Sequence, residues 1–134
     1  MRVLVDTSAW SHFLRRDGEN EVRSLFRTLI VDGAQVFLTG LIYQELLTGF
    51  RSEPRRTELI RRLTAFEALV PTRSTHEKAA RLADKCLRGG VTVGTVDVLI
   101  AQLAIERECA LLTTDDDYRS IAKFCSLELL PGPS

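Results

Sequence analysis

Four carboxylates sit against apolar segments of the chain. Asp6 closes "VLVD", Glu45 lies in "YQEL", Asp97 in "VDVL", and Asp115 follows "LLTT". A carboxylate among apolar neighbours loses hydration free energy unless positive charge compensates it. No Lys or Arg adjoins Asp6, Glu45 or Asp97 in sequence, so a divalent cation is the natural counter-charge. The chain has two histidines, His12 and His76, and no CxxC pair. An oxygen-only donor set of this kind suits Mg²⁺, with Mn²⁺ as the alternative, rather than Zn²⁺. The chemistry that uses such a site is phosphoryl transfer, in which an ion binds the phosphate, acidifies a water and neutralises the leaving oxygen. Each acid also has an ordinary reading. Asp6 and Asp115 suit helix N-caps, Asp97 a first helical turn, and Glu45 a solvated helix face. Four acids converging on one edge of a sheet are poorly explained by four separate caps.

The stretch "LLTTDDDY", residues 111–118, adds Asp116 and Asp117 behind Asp115. Three adjacent carboxylates repel one another. They are tolerated if at least one turns inward to a cation and if a helix begins there, since negative charge is favourable at a helix N-terminus. Asp115, directly after the strand, is the first choice as ligand. Asp116 is expected to face solvent, and Asp117 is an alternative ligand or a first-turn charge.

The elements that position these acids follow from apolar periodicity. Residues 3–5 form a first strand, followed by a short helix over about 8–14 and a second helix carrying Val22, Leu25, Phe26, Leu29 and Ile30. Strands are expected at 34–38, 68–70, 110–114 and 127–130. Thr39 is placed to cap the helix that carries Glu45, and Ser52 to cap the next, with Pro54 in its first turn. Ser74 and Glu77 have the spacing of a capping box for a helix that stops at Gly89-Gly90. Thr95 opens the helix of Asp97. Strands alternating with helices imply an α/β fold with a parallel sheet, whose sites lie beyond the carboxyl ends of its strands.

Composition sets the outer bounds. The 134 residues, 45% hydrophobic and 27% charged, fit one globular domain over residues 1–134. No apolar run approaches the ~20 residues of a membrane helix. The amino terminus meets Asp6 too early for a signal peptide. Cys86, Cys109 and Cys125 are widely spaced, which suggests reduced thiols and a cytoplasmic location. Net charge is zero, yet setting the four acids aside leaves +4 on the remainder. A basic surface around an acidic pocket suits a polyanion. Arg15, Arg16, Arg51, Arg55 and Arg56 are candidate RNA contacts, with Arg61 and Arg62 beyond them; for the run from 51 to 62 a solvated helix face is an equal reading.

"VLVDTSAW", "YQELLTGF", "GTVDVLIAQLA" and "LLTTDDDY" together resemble the PIN-domain nucleases, and the short chain with its "DTSAW" opening is similar to VapC-type toxins of toxin–antitoxin pairs. The resemblance runs from residue 2 to about residue 130. It implies a three-layer α/β/α sandwich around a mostly parallel central sheet, and Mg²⁺-dependent endoribonuclease activity leaving 5′-phosphate and 3′-hydroxyl ends. It carries Asp6, Glu45, Asp97 and Asp115 over as catalytic acids, with Asp6, Asp97 and Asp115 as metal ligands. Thr7, Ser8 and Thr113 match polar positions lining the site, and Asp117 a supporting one. Expected partners are an RNA substrate, a VapB-like antitoxin and a second copy of the chain, in a homodimer or a larger assembly with the antitoxin.

Two other classes fit less well. A haloacid-dehalogenase-like phosphatase also opens with a strand ending in Asp, but needs an acid two residues on, where this chain has Ser8. A metal-binding or RNA-binding module without cleavage would not require all four acids. No G-x-S-x-G elbow or G-x-x-x-x-G-K-[ST] loop is present.

Overall fold

The structure, a computed structural model, describes residues 1–15 and 20–132, the side chain of Arg15 excepted. Five strands form one sheet: β1 (Arg2–Val5), β2 (Gln35–Thr39), β3 (Glu67–Leu69), β4 (Ala110–Leu112) and β5 (Leu129–Leu130), in the spatial order β3-β2-β1-β4-β5. Every pair is parallel. Helices α1 (Thr7–Arg15), α2 (Glu21–Val31), α3 (Gly40–Thr48) and α4 (Glu53–Leu63) connect β1 to β2 and β2 to β3. Helices α5 (Arg73–Arg88) and α6 (Thr95–Glu106) carry the chain back across the sheet to β4, and α7 (Asp117–Ala122) joins β4 to β5. The first set of crossovers runs outward from β1 in one direction and the second set in the other. Right-handed crossovers therefore put the two sets on opposite faces. The result is the expected three-layer α/β/α sandwich, with a sheet that is parallel throughout.

Val3, Leu4 and Val5 are wholly buried, as are Leu111 and Leu112 of β4. Such continuous apolar runs belong to strands covered on both faces. Trp10 of α1 sits edge-on to Phe26 of α2 and to Phe66, with ring centroids 4.9 and 5.0 Å apart, and pins one helical layer. On the opposite layer Val98, Ile100, Ala101, Leu103 and Ala104 of α6 are buried against the sheet.

Local signals set most helix starts. Thr39 accepts from the Ile42 amide and Ser52 from the Arg55 amide, as their positions predict. Gly89 ends α5, and Gly90 follows with φ +87°. The start of α5 differs from expectation. The capping box is formed by Thr72 and Thr75 instead of Ser74 and Glu77. Thr75 is fully buried and its hydroxyl reaches Glu106 of α6 at 2.8 Å, so a tertiary contact selects the earlier register. Strand β4 is also shorter than expected, because the Thr113 hydroxyl takes the Asp115 amide (3.0 Å) and turns the chain.

Candidate functional site

The sheet order places the site. From β1 the chain moves to β2 on one side, while β4 lies on the other, so the crossover direction reverses between β1 and β4. A parallel sheet opens a crevice at such a switch point, beyond the carboxyl ends of its strands. Val5 pairs with Leu112, so Asp6 and Thr113 emerge side by side at this crevice. The Asp6 amide donates to the Leu112 carbonyl at 2.9 Å and prolongs the ladder by one bond.

Asp6 is buried, and its Oδ2 accepts from the hydroxyls of Thr113 (2.9 Å) and Ser8 (3.1 Å). Ser8 Oγ in turn accepts the Thr114 amide at 3.0 Å. These two hydroxyls lock the Asp6 carboxylate and the turn after β4 into one unit. Asp115 Oδ1 accepts the Asp117 amide at 2.9 Å, which directs the triplet into α7. Asp116 is exposed and pairs with Arg119 at 3.4 Å, as expected for the outward member. Thr7 donates to Glu45 Oε1 at 3.2 Å, holding that exposed acid of α3 at the rim beside Asp6.

Asp97 enters from the first turn of α6, after Gly94. A Cβ at Gly94 would lie 3.5 Å from Asp97 Oδ2, so the carboxylate folds back over its own N-cap. One carboxylate oxygen each from Asp97, Asp115 and Asp117 lies within 4.8 Å of the others. Opposite ligands around Mg²⁺ are about 4.2 Å apart, twice its bond length of about 2.1 Å, so small side-chain rotations close this group onto an ion. The all-oxygen donor set fits a hard divalent cation. Asp117, expected as a supporting residue or alternative ligand, offers a ligand atom to this group alongside Asp115. Asp6 lies beside it, near enough to act electrostatically on Asp97.

Electrostatics agree with this geometry. The Asp97 carboxyl is pushed above the usual range for Asp, first by burial and then by the charges of Asp115 and Asp6; the Tyr118 hydroxyl opposes the shift. Tyr118 is fully buried beneath the acids, with its hydroxyl 3.4 Å from Asp97 Oδ1. Its own ionisation is driven far up by burial and by Asp6, Asp97 and Asp115, so it remains a neutral donor. A buried carboxyl raised in this way beside other acids is a poor arrangement for stability alone and a good one for receiving a cation.

Of the expected arginines, Arg51, Arg55 and Arg56 lie just before and in the first turn of α4. Arg16 and the Arg15 side chain lie outside the described residues. Arg56 pairs with Glu53 and donates to the Leu47 carbonyl at 3.3 Å, tying α4 to α3. Arg55 borders an apolar groove with Leu14, Phe50 and Leu59, and Arg51 is exposed before α4. Sequence reasoning passed over Tyr118 and Arg119. An aromatic residue directly after an acid triplet was the available signal for Tyr118; Arg119 had none.

The PIN domain family model matches residues 3–124 of this chain. The chain belongs to the PIN-domain family. Curated relatives include the VapC ribonuclease Mb1587 of Mycobacterium bovis and ribonuclease VapC11 of Mycobacterium tuberculosis. Each is 30% identical over 128 residues, spanning 94% of this chain and 96% of the relative. Among solved structures this PIN domain is similar to VapBC2 from Rickettsia felis bound to a promoter DNA fragment (TM-score 0.78, 16% identity, 96% of this chain and 97% of the other). It is also similar to VapBC-1 from nontypeable Haemophilus influenzae (TM-score 0.77, 17% identity, 96% of each chain). These structural likenesses establish the fold.

Proposed function

We propose that this PIN domain is a Mg²⁺-dependent endoribonuclease and the toxin of a toxin–antitoxin pair, acting in the cytoplasm. The observation that carries the reading is the convergence of Asp97, Asp115 and Asp117 within 4.8 Å beside buried Asp6 at the switch point of the sheet. The ribonuclease names of relatives at 30% identity support the reaction class. Among the described residues no helix is long and apolar enough to cross a membrane.

In this mechanism Asp97, Asp115 and Asp117 would hold the ion, with Asp6 completing the acidic wall. When bound, the ion offsets phosphate charge and lowers the pKa of the attacking water. The protein's own part is alignment. The Ser8 and Thr113 hydroxyls fix Asp6, the Asp117 amide fixes Asp115, and Tyr118 donates to Asp97. Glu45, exposed and held by Thr7, would orient water at the rim of the site. Attack by water in line with the leaving 3′ oxygen yields 5′-phosphate and 3′-hydroxyl ends.

The expected partners are a second copy of the chain and a VapB-like antitoxin. An apolar groove of about 250 Å³ between α3 and α6 is lined by Leu41, Pro71, Leu99 and Leu103. The solved VapBC neighbours support a VapB-like antitoxin as partner. Incubating purified, antitoxin-free protein with a mixed RNA pool tests the activity. Cuts are expected with Mg²⁺ and not with EDTA or with Asp6→Asn; cutting that survives both changes would defeat the reading.

A further inference from the structure

Two cavities flank the acid cluster. One, of about 90 Å³, lies on the α6 side and reaches Asp97 and Asp117 from the loop before α6. The other, of about 180 Å³, lies on the β5 side and runs from Asp115 past Thr114 to Glu21 at the start of α2, with Arg119 on its wall. Arg119 is the one Lys or Arg among the described residues lining either cavity.

A polyanion laid across this cluster meets a wall that is otherwise acidic: Asp115 and Asp116 together with Glu21. An ion at the cluster compensates one phosphate. The next phosphate along the strand needs a cation of its own, and the β5-side cavity supplies one. Among the described residues the Arg119 side chain pairs with Asp116 alone, at 3.4 Å, and the two side chains are 54% and 91% exposed. An exposed pair of this kind contributes little and exchanges readily, whereas a guanidinium takes a phosphate through two parallel hydrogen bonds.

We propose that the cavity between α2, α7 and the ends of β4 and β5 is the seat of the RNA nucleotide next to the cut, with Arg119 leaving Asp116 to bind that nucleotide's phosphate. The assignment rests on the nuclease reading for its substrate class and adds to it a subsite and an anchoring residue. It makes Arg119 a substrate-binding residue and the β5 side of the cluster the path of one arm of the strand.

The test is binding of a fluorescently labelled, mixed-sequence, short single-stranded RNA, in Ca²⁺ in place of Mg²⁺ and over a range of salt. Wild type, Arg119→Ala and Arg119→Lys are compared. Removing one phosphate contact should weaken binding about tenfold and reduce the slope of log affinity against log salt by about 0.7. Arg119→Lys should restore most of the slope and part of the affinity, since it keeps the charge and loses the fork. Melting temperature of both variants should equal wild type and Mn²⁺ binding should be no weaker, because Arg119 hydrogen-bonds none of Asp97, Asp115 or Asp117 and its loss removes only a like charge beside the ion. Equal affinity and slope for Arg119→Ala, or no RNA binding by wild type, overturns the proposal. Parallel cleavage in Mg²⁺ separates the two claims. Cleaving wild type with an unaltered Arg119→Ala leaves the nuclease and removes the anchor; Arg119-dependent binding without cleavage leaves the anchor and removes the nuclease.

Discussion

Asp97 is the residue on which the site's electrostatics converge. Burial first, then Asp115 and Asp6, raises its pKa above the value it has in the unfolded chain. A raised acid favours the folded state when protonated. Its contribution is complete below the unfolded pKa and disappears as pH rises through the folded one. The metal-free protein should therefore lose melting temperature as pH rises through that interval, and Asp97→Asn should lose less. The same variant should melt higher than wild type at neutral pH without metal, and gain less on adding Mg²⁺. Thermal melts with and without EDTA between acid and neutral pH check both. Tyr118 gives a second expectation. Tyr118→Phe keeps the buried ring and removes the donor to Asp97, so stability in EDTA should fall by no more than about 1.5 kcal/mol. Mn²⁺ affinity should fall roughly tenfold or more, as it does when a partner of a metal ligand is lost; calorimetric titration reads this directly. The acids were legible in the sequence because each interrupts an apolar run. The Tyr118 hydroxyl was not, because its partner is reached only when α7 packs against α6. The choice between Asp115 and Asp117 stayed open for a similar reason: the turn set by the Thr113 hydroxyl brings both carboxylates toward Asp97.

At the scale of elements, local rules were most readable where a cap and its helix are neighbours in sequence. Thr39, Ser52 and Gly89 act where their types and positions place them. Helix α5 begins two residues early because Thr75 answers to Glu106 across the layer as well as to Thr72. The two registers make different predictions. Thr72→Ala should cost about 1 kcal/mol of unfolding free energy, and Ser74→Ala, exposed and outside the box, less than about 0.5 kcal/mol. Urea denaturation of the pair distinguishes them. The arginine run from 51 to 62 shows the limit of composition. Arg56 and Arg61 pair with Glu53 and Glu58 on their own helix, which is the solvated-face reading of part of that run. Arg119, the one Lys or Arg among the described residues lining the cavities beside the acids, stands alone in sequence, with no basic cluster to draw notice.

Across the whole molecule, alternation of strands and helices was enough to read a parallel sheet, and the four motifs in order were enough to read the family resemblance. Strand order was a different matter. Nothing local states that β1 lies between β2 and β4; that follows from burying two helical layers on the most apolar strands, "VLV" and "ALL", at the centre. This order creates the switch point and gathers acids from residues 6, 97, 115 and 117 into one crevice, with Glu45 at its rim. Everything proposed for this crevice turns on whether it hydrolyses RNA with the help of a divalent ion. The most direct measurement is the chemistry of the new RNA ends, read by sequencing libraries that require either a 5′-phosphate or a 5′-hydroxyl, after digestion in Mg²⁺ by wild type and by Asp97→Asn. The account predicts discrete cuts bearing 5′-phosphate and 3′-hydroxyl, reduced at least a hundredfold in the variant. Cuts bearing 5′-hydroxyl and 2′,3′-cyclic phosphate, or cuts that persist in Asp97→Asn, would contradict it.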